Sequence, residues 1–288
     1  MSGPVKRLAV LGHPVSHSRS PAMQNAALEA LAGQGLEGDW LYEAPIEVTP
    51  ERFEAKVREM AVGDFIGANV TIPHKQAALR LADEASSAAE AIGAANTLSF
   101  TRNEIVAENT DASGLLAALG DLPSSPRGVR ALVLGAGGAA RAAIWALSKG
   151  GAVVYVDLRP RAVDVWNRTP GRAADVYDEL GDYVKLGGAP VDKPRQEDYG
   201  IVVNTTSVGL GGEDPFEHLP LSRRGFQGQV VVDMVYGDRP SKLIKVAEEN
   251  GATVVDGIEI LVRQGARSLQ IWTGCEPPLD IMRDAARA

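Results

Sequence analysis

One cysteine, Cys275, stands among the 288 residues, so no intrachain disulfide can form and a reducing compartment is the expectation. It lies in Trp272-Thr273-Gly274-Cys275-Glu276-Pro277-Pro278, a turn-like stretch that reads as housing an inert thiol. Basic residues are outnumbered, 29 Lys and Arg against 37 Asp and Glu, for a net charge of −8. That disfavours binding to nucleic acid or an anionic membrane, which needs a basic face. No apolar run approaches the roughly 20 residues a membrane span requires. The start, Met1-Ser2-Gly3-Pro4-Val5-Lys6-Arg7, lacks the apolar core of a signal peptide, so a cytoplasmic location is expected. The four histidines are scattered; His13 and His17 are separated by Pro14 and Ser16, and no metal site is expected.

What is present is an alternation. Hydrophobic residues are 45% of the chain, enough for a sizeable core in one or two domains. Short apolar runs alternate with longer segments of helical period, the α/β pattern. Strands are expected at 7–12, 41–44, 65–70, 97–100, 105–108, 130–134, 153–156, 201–203, 230–233 and 253–255, with a hairpin turn at Arg102-Asn103. The run 130–134 is almost wholly apolar, as for a strand buried on both faces. Ser20-Pro21 and Thr49-Pro50 should each open a helix, with the hydroxyl residue as cap and proline at the first helical position. Further helices are expected at 73–83, 86–92, 112–119, from 138 to 149, and at 240–250, 258–272 and 279–287. Pro123-Ser124-Ser125-Pro126 is the best linker candidate. One local near-repeat occurs: Val156-Asp157-Leu158-Arg159-Pro160-Arg161-Ala162 is echoed by Val165-Trp166-Asn167-Arg168-Thr169-Pro170-Gly171-Arg172-Ala173.

Several polar runs are not explained by packing. Gly135-Ala136-Gly137-Gly138-Ala139-Ala140 follows a buried strand and opens a helix, the context in which such a turn cradles a pyrophosphate on backbone N–H groups. Ser18 and Ser20 offer two hydroxyls to a small anion or polyol, although Ser20 could simply cap its helix. Asn69 and Thr71, one residue apart, would point to the same side of an extended segment. Lys75 falls on the first turn of a helix, where a cation opposes the helix dipole, which is an odd place for an idle surface lysine. Asn96 and Asp111 each end a short strand region. Asp111 could be only a helix cap; paired with Lys75 it could hold an ammonium that passes a proton to or from a substrate oxygen while hydride moves.

These runs together resemble the shikimate dehydrogenase family. The resemblance is carried by 12–21 (Gly-His-Pro-Val-Ser-His-Ser-Arg-Ser-Pro), Asn69-Val70-Thr71-Ile72-Pro73-His74-Lys75, Gly93-Ala94-Ala95-Asn96-Thr97, Asn109-Thr110-Asp111, the glycine turn and Asn167-Arg168-Thr169. It continues through Asn204-Thr205-Thr206-Ser207-Val208-Gly209, Asp233-Met234-Val235-Tyr236, Asp256-Gly257 and Leu261-Val262-Arg263-Gln264-Gly265-Ala266. These motifs span nearly the whole chain in the family's order.

The resemblance implies an α/β protein of two domains with the active site in the cleft between them. An N-terminal α/β substrate domain would take 1–111 plus 257–288, where the last helices return, and a Rossmann-type dinucleotide domain 112–256. Ser18 and Ser20 would bind the substrate carboxylate. Asn69, Thr71, Asn96 and Gln264 would bind the ring hydroxyls, with Tyr236 nearby. Lys75 and Asp111 would be the catalytic pair. Gly135, Ala136, Gly137, Gly138 and Ala139 would hold the pyrophosphate, Asn167, Arg168 and Thr169 the adenosine 2′-phosphate of NADP, and Met234 and Gly257 would lie by the nicotinamide. The implied activity is reversible NADP-dependent reduction of 3-dehydroshikimate to shikimate, in a monomer or homodimer with small molecules as its only partners. An NAD-dependent quinate/shikimate dehydrogenase and a catalytically silent ligand sensor are the alternatives.

One feature departs from the family pattern. Its Asn-Arg-Thr run directly ends the second dinucleotide strand, whereas here the apolar 153–156 reads as that strand and Asn167 comes late. Asp157 then stands at about the spacing at which an acidic residue bonds a ribose 2′-OH and selects NAD. Asn167–Thr169 carries the guanidinium and hydroxyl suited to a 2′-phosphate, and Arg159 could also reach one. The residue-for-residue match of the later run makes NADP the expectation, with NAD as the alternative.

Overall fold

The structure is a computed structural model that describes residues 4–101, 104–122, 128–153, 160–181, 183–184 and 186–288, with backbone only at 149–153. The chain divides into two compact units, Met1–Thr110 with Val262–Ala288, and Asp111–Leu261.

In chain order the first unit holds β1 (Lys6–Gly12), α1 (Ser20–Ala32), β2 (Trp40–Tyr42), β3 (Ile46–Glu47), α2 (Pro50–Ala61), β4 (Phe65–Val70), α3 (Lys75–Leu81), β5 (Glu84–Ala85), α4 (Ser87–Ile92), β6 (Thr97–Thr101) and β7 (Glu104–Glu108). Its sheet runs β2-β1-β4-β6-β7-β5, with β3 also on β1. β1 pairs in parallel with β2, β3 and β4, while β4–β6 and β6–β7 are antiparallel. Phe53, Val57 and Met60 recur at helical spacing on α2 and are buried against Leu11, Ala68, Val70 and Leu98 of the sheet. The expected hairpin is present, and its turn, Arg102-Asn103, lies outside the described residues.

α5 (Thr110–Gly120) leads into the second unit. There follow β8 (Arg130–Leu134), α6 (Gly138–Val153), β9 (Ala162–Trp166), α7 (Pro170–Leu180), β10 (Ile201–Asn204), α8 (Pro215–His218), β11 (Val230–Asp233), α9 (Lys242–Glu249), β12 (Thr253–Val255) and α10 (Gly257–Thr273). The sheet is β12-β11-β10-β8-β9 and every pair in it is parallel. Its strands are apolar nearly throughout because both faces are covered. The strand order reverses direction at β8, with β9 on one side and β10 on the other, the arrangement of a doubly wound dinucleotide fold. The chain returns to the first unit within α10, and α11 (Leu279–Arg287) packs on α1.

Three expectations need correction. The strand beside β8 is Ala162–Trp166, not 153–156: Val153 closes α6, and 154–156 lie outside the described residues. The physical reason is a partner that an apolar run cannot supply. Asp164, in the middle of β9, is buried and accepts both Nε (3.0 Å) and Nη2 (2.6 Å) of Arg130 at the start of β8. Two charge-assisted bonds converging on Oδ2 are stronger than neutral ones and hold the two strands side by side. Secondly, Ser20 is the first residue of α1 rather than its cap. Arg19 occupies the cap position, and the Ser18 hydroxyl accepts the Ser20 N–H at 3.2 Å. Thirdly, Thr49 is at the cap position of α2 but makes no capping bond. The linker candidate 123–126 and the rival ribose residue Asp157 lie outside the described residues, as does Arg159.

Candidate functional site

In the first unit the strand ends and α10 converge on a buried polar network. Asn69, next to last in β4, receives the Tyr42 hydroxyl on Oδ1 at 2.9 Å and directs Nδ2 to Ser268 Oγ (3.0 Å) and to Thr97 Oγ1 and the Asn96 carbonyl (both 3.3 Å). Asn96, just before β6, accepts the Thr110 N–H on Oδ1 at 2.7 Å and donates from Nδ2 to Gln264 Oε1 at 3.0 Å. Gln264 and Ser268 are one helical turn apart on α10, and the Ser268 hydroxyl also bonds the Gln264 carbonyl at 3.1 Å. Asn69, Asn96 and Gln264, the residues expected to bind ring hydroxyls, are thus joined in one network. Tyr42, Thr97, Thr110 and Ser268 complete the network and were missed. The only sequence signal for Ser268 is its place four residues after Gln264.

Lys75 is the first residue of α3, and its carbonyl accepts the N–H of Ala95 at 2.9 Å. Asp111 follows Thr110 in the first turn of α5 and is buried. The backbones at Lys75 and Thr110 are therefore fixed to two consecutive residues, Ala95 and Asn96. His74 is no second cation beside Lys75. Its ring stacks on Phe53 with centroids 4.3 Å apart, and Nε2 lies 2.7 Å from the Val48 carbonyl. A carbonyl can only accept, so Nε2 carries a proton, and burial holds the imidazole pKa below its ordinary value against the opposing effect of that bond. Thr71 begins a tight turn, its carbonyl accepting the His74 N–H at 2.9 Å, and is half-buried. Ser18 is half-buried and Ser20 buried on the loop that enters α1.

In the second unit the expected cofactor residues lie along the carboxyl edge of the sheet. Leu134, Trp166, Asn204 and Asp233 are in register across β8, β9, β10 and β11. The residues that follow them, Gly135, Asn167, Thr205 and Met234, therefore emerge side by side, the edge at which open α/β sheets bind ligands. Gly135 has φ +117, and a Cβ there would stand 2.5 Å from Thr205 Oγ1, so only glycine fits this turn. Its N–H donates to the Trp166 carbonyl at 2.8 Å. A Cβ on Gly137 would meet nothing within 4 Å, which leaves the approach to the α6 N-terminus open. Asn167, Arg168 and Thr169 run directly from β9 into α7, with Asn167 Nδ2 bonded to the Thr169 carbonyl at 2.9 Å and Arg168 exposed.

The loop after β11 is pinned by a buried carboxylate. Asp233 accepts Asn204 Nδ2 (2.9 Å) and the Val235 N–H (3.1 Å) on Oδ1, and Ser241 Oγ (2.5 Å) on Oδ2. Burial pushes its pKa up to about 6 despite the three hydrogen bonds, which act the other way. Gly257, the first residue of α10, lies against the Val235 and Met234 carbonyls where a Cβ would collide. Met234 and Tyr236 are half-buried in this loop. Among the described residues no cluster of three or more His, Cys, Asp or Glu could hold a metal, and no helix is long and apolar enough to cross a membrane.

The chain matches known proteins over its whole length. Residues 10–98 match the family model of the shikimate dehydrogenase substrate binding domain, and 257–287 that of the shikimate 5'-dehydrogenase C-terminal domain. A shikimate dehydrogenase (NADP(+)) of Methanocella arvoryzae is 42% identical over 284 residues, covering 96% of this chain and 97% of its own. Among solved structures, shikimate dehydrogenase of Aquifex aeolicus superposes with a TM-score of 0.83 at 34% identity, covering both chains entirely (100%). Shikimate 5-dehydrogenase of Thermus thermophilus, in complex with NADP(H) and shikimate, superposes with a TM-score of 0.78 at 35% identity over 98% of each chain.

Proposed function

The chain belongs to the shikimate dehydrogenase family, and from that premise we propose that it reversibly reduces 3-dehydroshikimate to shikimate with NADP as its cofactor. The observation that carries this reading is the anchoring of Lys75 and of Thr110, the neighbour of Asp111, to the adjacent residues Ala95 and Asn96. The backbone of Lys75 and of the residue before Asp111 is thereby held to the same short segment as the amides that would read the ring, which supports reading the two as a proton-transfer pair.

The residues of the second unit fit NADP. The open Gly137, the positive φ of Gly135 and the N-terminus of α6 suit a pyrophosphate held by the backbone of Gly135, Ala136, Gly137, Gly138 and Ala139. Asn167, Arg168 and Thr169 follow β9 directly and would hold the 2′-phosphate, Arg168 through its guanidinium. Met234 and Gly257 would border the nicotinamide, with Tyr236 toward the substrate. When bound, the cofactor supplies or accepts the hydride.

The remaining steps belong to the chain's own side chains. Ser18 and Ser20 would donate hydrogen bonds to the substrate carboxylate, and Asn69, Thr71, Asn96 and Gln264 would orient the ring. Because Asn69 already spends its amide on Tyr42, Ser268 and Thr97, it acts by holding the network rather than as a lone ligand. In reduction the Lys75 ammonium gives a proton to the carbonyl oxygen as it gains charge. In oxidation the same amine takes the proton from the hydroxyl, and Asp111 keeps the lysine in place and balances its charge. Both ligands are small molecules, and the enzyme is assigned to the cytoplasm as a monomer or homodimer. The test is absorbance at 340 nm with shikimate or quinate and either NADP or NAD. NADP reduction by shikimate is expected; no turnover with shikimate, or a preference for NAD, refutes the corresponding half of the reading.

A further inference from the structure

Three hydroxyls occupy the centre of the first unit's polar network. Thr97 Oγ1 and Ser268 Oγ are 2.8 Å apart, Thr110 Oγ1 is 3.1 Å from Ser268 Oγ, and Thr97 Oγ1 is 3.2 Å from Thr110 Oγ1. They come from β6, α5 and α10, and their residues are 0%, 1% and 0% exposed for Thr97, Thr110 and Ser268. We propose that this hydroxyl triad is the positioning device of the substrate-ring site: it holds the Asn96 amide, and through Asn96 it fixes which end of the Gln264 amide is turned away from the protein network and hence which substrate groups Gln264 accepts. The proposal rests on the reading of the chain as a shikimate dehydrogenase.

The directions follow from one donor that cannot reverse. The backbone N–H of Thr110 donates to Asn96 Oδ1, so the other end of that amide is the NH2 group. That group donates to Gln264 Oε1 at 3.0 Å and to Thr110 Oγ1 at 2.9 Å. Gln264 Oε1 is therefore an acceptor toward the protein, and a ligand atom met by Gln264 Nε2 must itself accept, as a hydroxyl oxygen does. On the far side the Tyr42 hydroxyl donates to Asn69 Oδ1, which turns the Asn69 NH2 toward Ser268 Oγ and Thr97 Oγ1. Each triad hydroxyl touches at least three polar partners. Removing one leaves buried donors or acceptors unmatched, and the nearest relief is a rotation of the amides away from these directions.

Ser268→Ala and the isosteric Thr97→Val remove a hydroxyl each, while Thr97→Ser keeps one. In the first two the KM for shikimate is expected to rise about 10-fold, the loss of one buried hydrogen bond. The Kd for NADP, read by protein fluorescence, should stay within about twofold, since NADP is assigned to the other unit, and Thr97→Ser should stay near wild type. If Ser268→Ala does not fold, Thr97→Val decides. An unchanged shikimate KM in the folded hydroxyl-free variants, with only Tm lowered, overturns the proposal. So does an equal loss of NADP affinity, or a Thr97→Ser as impaired as Thr97→Val. A wild type that does not oxidise shikimate at all sinks the functional reading instead, before any variant is compared.

Discussion

Replacing Asp233 by Asn should make the protein more stable, and more so as pH rises. Asp233 is 1% exposed and its pKa stands at about 6 against an ordinary value of 3.8. A folded-state pKa raised above the unfolded one means that the folded protein binds the extra proton between those two values. Stability therefore falls as pH rises through this window, and the cost is complete above about pH 6. About two pH units at about 1.4 kcal/mol each is a penalty of about 3 kcal/mol at neutral pH. Asparagine keeps an acceptor for Asn204 Nδ2 and the Val235 N–H and can donate to Ser241 Oγ, while carrying no charge. Urea unfolding of both proteins between pH 5 and pH 7.5, followed by far-UV circular dichroism, should show the variant's advantage growing by about 1.5 kcal/mol over that range. An advantage that is flat with pH, or that shrinks as pH rises, would refute the reasoning and mean that the three hydrogen bonds outweigh desolvation.

Lys75→Ala should lower kcat by about 10²–10⁴ with a modest change in KM, since a positioned acid/base is lost; a kcat within about threefold of wild type removes Lys75 from the chemistry. Ser18→Ala should lower kcat/KM for shikimate by about 10- to 150-fold, the worth of one charge-assisted bond, and leave the NADP KM unmoved. A drop in cofactor affinity instead would place Ser18 elsewhere. Arg168→Ala should cut kcat/KM with NADP by about tenfold or more while sparing the value with NAD, because only NADP carries the 2′-phosphate. Equal losses with both cofactors would show that Asn167–Thr169 is not the 2′-phosphate clamp.

Local patterns in the chain were enough for many elements. β4, β8, β11, β12 and α11 stand at the bounds their apolar periodicity indicated, because a strand buried on both faces or a strongly amphipathic helix writes its burial directly into consecutive residues. The glycine turn was legible for the same local reason, since the run from β8 into α6 needs a residue that tolerates positive φ. The strand beside β8 was not. The apolar 153–156 read as that strand, being too apolar for an idle loop. Only the sheet brings the Arg130 side chain to Asp164, two residues along the neighbouring strand, where it anchors the buried carboxylate and so places Asn167 at the end of the strand. Ser20 was likewise expected to cap α1, and the loop's actual path makes it the first helical residue with Arg19 at the cap position. The sequence by itself determined the two-part α/β plan and the residue types available for the chemistry. Tertiary structure alone decided the partners of Ser268, Thr97 and Asp233, because hydrogen bonds between β6, α5 and α10, or between β10 and β11, join residues far apart in the chain and leave no periodic trace in it.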